Sequence, residues 1–112
     1  MSLTQYRTAE FPDLKLWVLD DDGTLIDFST GWSFIWKLGR RGSAAAFTKT
    51  TNITGSTGSG TEPSGTPNVT LIFIAGELDS IDPGPYTWQL RATSSGRDRI
   101  VTDTILINDV IT

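Results

Sequence analysis

Two stretches of strict period-two alternation set the fold class of this chain. Trp32, Phe34, Trp36 and Leu38 interleave with Ser33, Ile35, Lys37 and Gly39, and Tyr86, Trp88, Leu90 and Ala92 interleave with Thr87, Gln89, Arg91 and Thr93. Side chains along a strand point alternately to its two faces, whereas a helix would scatter these large residues around its circumference. Each stretch therefore reads as a strand with one face in a core. The composition agrees, since 11 Gly, 5 Pro and few Glu or Lys disfavour helices and suit short strands joined by turns. The expected class is all-β.

Further segments fill out the sheets. Leu14, Leu16 and Val18 alternate with Lys15, Trp17 and Leu19 and run into Asp20-Asp21-Asp22-Gly23, where the Asp-Gly step followed by Thr24-Leu25-Ile26 predicts a hairpin. Val69 to Ala75 is an uncharged, almost continuous apolar run and predicts a central strand covered on both faces. In Arg99 to Ile107 the apolar parity changes midway, which predicts a bulge near Thr102 to Thr104. Thr4 to Ala9 and Ala44 to Ile53 are edge-strand candidates. The count is seven or eight strands, spaced as in an antiparallel sandwich, with Phe34, Trp36, Phe73, Trp88 and Leu90 in one core.

All 112 residues are expected to form a single domain. Gly55 to Pro67 contains no apolar residue and has a flexible-linker composition, yet the segments on either side are too short to fold alone. Residues 54–68 are therefore expected to be a long Gly/Ser/Thr-rich flexible loop within the domain. A loop of that length points to binding or assembly, as does an N-terminal arm over residues 1–11. The candidate interface residues are Gly55, Ser56, Thr57, Gly58, Ser59, Gly60, Thr61 and Glu62 of the loop, together with Trp17, which sits on the face opposite Leu14, Leu16 and Val18.

Function classes fall away by composition. The chain has no Cys and no His, which removes disulfides, thiol catalysis, imidazole bases and the commonest transition-metal ligands. A net charge of -4 has the wrong sign for binding nucleic acid or an anionic membrane surface. No apolar run reaches membrane-spanning length, and MSLTQYRTAEF does not read as a signal peptide, so the expected place of synthesis is the cytosol. Carboxylate-pair glycoside chemistry would need two facing acids in a cleft, and no catalytic residue or cofactor is expected.

Other patterns have plain structural readings. Asp20, Asp21, Asp22 and Asp27 are oxygen-rich, but they lack the alternating order and terminal Glu of a calcium loop and read as turn chemistry. Trp32, Trp36 and Trp88 share parity with apolar neighbours and read as core rather than a sugar platform. Asn52-Ile53-Thr54 and Asn68-Val69-Thr70 match the glycosylation pattern, which matters only in an exported chain. Arg40-Arg41 and Arg97 to Arg99 read as solvated turn ends. Asp82-Pro83-Gly84-Pro85-Tyr86 is the most specific motif: Asp82, Gly84 and Tyr86 have the spacing of a tyrosine corner, in which the phenol hydroxyl bonds to backbone just upstream. Gly76 to Ile81 would then cross between the sheets.

Taken in order, Leu16-Trp17-Val18-Leu19 with the Asp20 to Asp27 turn, Gly31-Trp32-Ser33-Phe34-Ile35-Trp36-Lys37, a variable middle, Val69-Thr70-Leu71-Ile72-Phe73 and Asp82 to Leu90 resemble the immunoglobulin-like β-sandwich domains of tailed-phage virions. The nearest forms are the N-terminal domain of baseplate upper proteins and the sandwich domains of tail collars. The likeness covers about Leu14 to Ile107. It departs at the C-terminus, where a baseplate upper protein carries a long extension and this sequence ends at Thr112.

The resemblance implies a non-catalytic structural virion protein of the tail, collar, baseplate or head attachment. It would be made in the bacterial cytoplasm and held by contacts with other virion proteins and with copies of itself in a symmetric particle, where weak patches add up by multivalency. The alternative is a stand-alone carbohydrate-binding or adhesion module, which would call for a row of exposed Trp and an export signal.

Overall fold

A computed structural model describes residues 2–6, 13–40, 42–74, 76–78 and 80–108. They form eight strands and no helix: β1 (Ser2–Tyr6), β2 (Leu14–Leu16), β3 (Ser33–Gly39), β4 (Ala45–Lys49), β5 (Ile53–Gly55), β6 (Val69–Leu71), β7 (Gly84–Ser94) and β8 (Arg97–Asn108). One sheet has the order β1-β8-β7-β3-β4 and the other β2-β6-β5. All pairs are antiparallel except β1 on β8, which runs parallel with Ser2 opposite Thr104 and Tyr6 opposite Asn108. Part of the N-terminal arm is thus an edge strand. Met1 and residues 7–11 of that arm lie outside the described residues, as do Arg41 and Ala75.

The two alternating stretches form the centre of the larger sheet. Trp36 faces Leu90 and Leu38 faces Trp88 across β3 and β7. These four side chains are at most 1% exposed and share one core with Val69 and Leu71 of the smaller sheet and with Phe73 just beyond it. The Trp36 ring stands edge-on to Phe73 at 5.3 Å and to Phe47 at 6.1 Å, the arrangement in which the positive ring edge meets a negative face. Trp32 and Phe34 are half-buried at the end of this core, where each packs edge-on against Phe28.

Three expectations change. The β7–β8 ladder runs without a shift from Gly84 opposite Ile107 to Ser94 opposite Arg97, so β8 has no bulge near Thr102 to Thr104. Its parity change arises because Ile100 and Leu106 face outward at 55% and 39% exposure, while Arg99, Val101, Asp103, Ile105 and Ile107 share the inner side. The register shift lies instead between β3 and β4 at Leu38/Gly39. The apolar run from Val69 is in strand form only to Leu71, in the middle of the smaller sheet, and one of its faces is open: Ile72 and Ile74 are 44% and 62% exposed. Ala44 to Ile53 is not one edge strand but β4 and β5, in different sheets, joined through Asn52 at φ 57°.

Lys49, on the inner face of β4 opposite Trp36, is 2% exposed. It pairs with Glu77 at 2.7 Å and lies 5.0 Å from the Phe73 ring centroid. The second Glu77 oxygen accepts from the Ile74 N–H at 3.0 Å, so one ion pair ties the sheet-crossing segment to the larger sheet.

Candidate functional site

The Asp82–Tyr86 corner has a clear geometry. Tyr86 is buried, and its hydroxyl donates to the Asp82 carbonyl at 2.5 Å. Gly84, at φ 140°, makes the turn into β7. Arg40 closes the corner from the end of β3. Its guanidinium donates to the Pro83 carbonyl at 3.1 Å and to the Tyr86 hydroxyl at 3.3 Å, and lies 4.7 Å from the centre of the Tyr86 ring. A Cβ at Gly84 would press on that guanidinium, so this glycine answers both to its backbone angle and to Arg40. Arg40, read from sequence as a solvated turn end, is a clamp.

The Gly/Ser/Thr stretch is hydrogen-bonded along its length. Gly55 ends β5 directly beneath the Phe28 carbonyl, where any Cβ would collide. The Ser56 N–H donates to the Asn68 carbonyl at 2.9 Å, the Ser56 carbonyl accepts from Phe28 at 3.0 Å, and the Ser56 hydroxyl donates to the Pro67 carbonyl at 2.8 Å. Gly58, at φ 66°, passes tightly against Asn68, and Thr57 is exposed. Ser59 and Thr66 exchange two backbone hydrogen bonds, 2.9 and 2.8 Å. Beyond them Gly60, at φ 68°, abuts Gly65, whose N–H donates to the Thr61 carbonyl at 2.7 Å. The segment is a narrow two-armed excursion with Glu62 in its tip.

Asn68 organises its base. This residue is fully buried, and its side chain bonds to the Val18 N–H, the Val18 carbonyl and the Ile26 carbonyl at 2.8 to 2.9 Å. Nothing in the alternation pattern pointed to it, because a lone Asn after Pro67 reads as loop. Its burial also closes the glycosylation reading at Asn68-Val69-Thr70; Asn52, in the other matching triplet, is exposed.

Glu62 in the tip and Trp17 both line one cleft of about 530 Å³. Its lining comes from Leu16 to Leu19, from Glu62, from Trp88 of β7, and from Asp98 to Val101 and Asp103 of β8. Two of the sequence-derived interface candidates, Trp17 and Glu62, are thereby brought together. The other loop candidates, Gly55, Ser56, Thr57, Gly58, Ser59, Gly60 and Thr61, do not line the cleft. Trp17 is half-buried rather than open to solvent. The indole N–H groups of Trp17 and Trp88 are buried and have no acceptor among the described residues.

The charged rim is paired. Asp20 binds both Arg97 and Arg99, and Arg99 also approaches Asp21 at 3.6 Å, which pins the Asp20–Thr24 turn to the start of β8. Arg91 holds Asp98 through two bonds of 3.0 and 2.7 Å. That contact keeps the Asp98 carboxyl below its usual range and the Arg91 guanidinium above its own. Asp22 and Asp27 are lowered by the Thr24 and Ser29 side chains and backbone N–H groups they cap. Arg97 to Arg99 are therefore not merely solvated turn ends. The Asp20 to Asp27 carboxylates accept from arginines and turn donors, and no set of three metal-ligating side chains gathers among the described residues.

Comparison with protein-family models, curated proteins and solved structures yields no match to this chain.

Proposed function

We propose that this chain is a structural protein of a tailed-phage virion, an immunoglobulin-like sandwich that works by protein–protein contact within a symmetric assembly and catalyses nothing. The observation that carries the reading is the cleft: Trp17 and Glu62 of the Gly/Ser/Thr excursion, two residues without a core role, line one concave site. The strand order supports the immunoglobulin-like part. β2-β6-β5 corresponds to strands B-E-D, and β8-β7-β3-β4 corresponds to G-F-C-C′, with the N-terminal strand parallel to the last. The buried tyrosine at the start of β7 sits where such sandwiches place their corner.

The test is direct. An antiserum raised against the purified chain is applied to tailed particles produced from the genome that encodes it, and the particles are digested for mass spectrometry. The reading expects labelling at one fixed place on every particle and a constant copy number per particle. Particles free of the chain would reject it.

A further inference from the structure

The outer face of the larger sheet is positive on a protein whose net charge is -4. Its outward side chains fall in cross-strand rows, Ile35, Arg91 and Ile100 in one and Thr48, Lys37, Gln89 and Thr102 in the next. Asp98 is the one carboxylate on this face among the described residues, and Arg91 already holds it through two bonds. Lys37 is exposed and pairs with no carboxylate among the described residues. Arg40 stands just beyond it, and its bonds go to the Pro83 carbonyl and the Tyr86 hydroxyl, so its charge is unmet as well. One groove of about 240 Å³ joins the two cations, lined also by Ser43, Thr87, Gln89 and Thr102 and by no described carboxylate. Two cations among hydroxyl and amide donors select an anionic partner, and carboxylates fit both kinds of donor.

The chain carries such a partner elsewhere. Asp20 and Asp21 face Arg97 and Arg99, but Asp22 and Asp27 are exposed and bond only the neutral donors of Thr24 and Ser29. Those donors lower both carboxyls, which are therefore charged at neutral pH. Gly23, at φ 86°, marks the tip of the turn, and a Cβ there would meet nothing within 4 Å, so the turn stands in open space. The arginines pin it to the start of β8, where Arg97 lies opposite Ser94. Lys37 lies opposite Gln89, about 17 Å away along β7. Complementary surfaces held apart on one molecule meet between copies, head to tail, in a heterologous contact.

We infer that the outer face of the larger sheet receives a second copy of this chain, whose Asp20–Asp27 region seats with Asp22 and Asp27 against Lys37 and Arg40. The contact requires only copies of this chain and holds whether or not they sit in a virion. Exposed ion pairs contribute little one by one, so two free copies associate weakly and only at low salt, while repetition along a row of copies adds the contacts together.

The experiment is sedimentation of the full chain from micromolar to millimolar concentration, in about 10 mM and about 300 mM salt. The inference expects species larger than a dimer to grow with concentration at low salt and to vanish at high salt. Lys37→Glu alters the face and leaves the turn; Asp22→Asn with Asp27→Asn removes the charge of the turn and keeps the oxygens that cap Thr24 and Ser29. Each should weaken association about fivefold at low salt, with Lys37→Gln intermediate and melting temperatures unchanged. An equal mixture of the two altered chains should favour a one-to-one dimer over longer species, because one brings an intact face and the other an intact turn. In the ¹⁵N-labelled parent, amides of residues 22–27, 35–37 and 87–89 should shift with concentration. A chain that stays monomeric at millimolar concentration, a parent that stops at a dimer, variants that associate like the parent, or shifts confined to another surface would each overturn the inference. Association by a chain absent from particles would sink the virion reading and leave this contact standing; a monomeric chain found on every particle would do the reverse.

Discussion

The side chain of Asn68 holds Val18 by both of its backbone groups, accepting from the Val18 N–H at 2.8 Å and donating to the Val18 carbonyl at 2.8 Å. It does what one residue of a neighbouring strand would do, just beyond the end of β2. Through its second Nδ2 hydrogen it also bonds the Ile26 carbonyl, so three backbone groups of the Asp20–Thr24 hairpin depend on one amide.

Asn68→Ala should therefore destabilise the fold by roughly 3 to 5 kcal/mol, since it leaves the buried Val18 N–H and Ile26 carbonyl unmet, while the Val18 carbonyl keeps the Ile26 N–H at 3.1 Å. Asn68→Asp should also be costly, because a carboxylate cannot donate to the two carbonyls. Urea denaturation of both variants checks this, and midpoints equal to the parent's would mean that water or relaxation replaces the amide.

At the corner, Tyr86→Phe keeps the ring and removes the bond to Asp82. The expected loss is about 1 to 3 kcal/mol. Arg40→Ala should cost a comparable or smaller amount, through the Pro83 carbonyl and the lost ring contact, and the double variant should lose less than the sum because the guanidinium and the hydroxyl bond to each other. Strict additivity in a double-mutant cycle would show that Arg40 and Tyr86 act separately.

Acid should weaken the rim in a defined direction. Asp98, Asp22 and Asp27 all have carboxyls lowered in the folded state. A lowered folded value contributes stability that is present above the unfolded value, near 3.9, and is lost as pH falls through the folded one. Stability should therefore be flat through neutral pH with respect to these groups and decline below about pH 4. Asp98→Asn should make that acid limb shallower, measured as the denaturation midpoint between pH 2 and 6. A limb of unchanged slope would show that the exposed Arg91 contact carries no linkage.

The sheets were legible in the sequence where burial is one-sided and local. Trp36 and Trp88 announce their strands because each shares its parity with other large apolar residues over a full stretch. Ile100 and Leu106 mislead because outward apolar residues carry no local mark, and only the unbroken β7–β8 register shows that they face away. The polar skeleton was hidden for a different reason. Asn68 reaches 50 residues back to Val18, Arg40 reaches 46 ahead to Tyr86, and Arg99 reaches 79 back to Asp20. Such pairs leave no periodic signature. Trp17 and Glu62 could be singled out one by one, since each lacks a core role, but their meeting at one cleft follows from how the excursion folds back.

The excursion tip is the place to separate folding from assembly. Ser59 and Thr66 form a hydrogen-bonded pair, so the residues between them can be replaced by a two-residue Asn-Gly turn without disturbing the ladder below. Asn68, Ser56 and Gly58 keep their contacts in such a variant, and only the tip with Glu62 is lost. Stability should change by less than about 1 kcal/mol, as for surface replacements that touch no buried group. If the tip helps to hold a neighbouring subunit, incorporation into particles should fall, because ordering and burying that contact repeats at every copy in a symmetric assembly. Thermal melts of the isolated chain and quantitative mass spectrometry of purified particles give the two readouts. Full occupancy of particles by the shortened chain would remove the tip from assembly, and a collapse of the melting temperature would make it part of the sandwich itself.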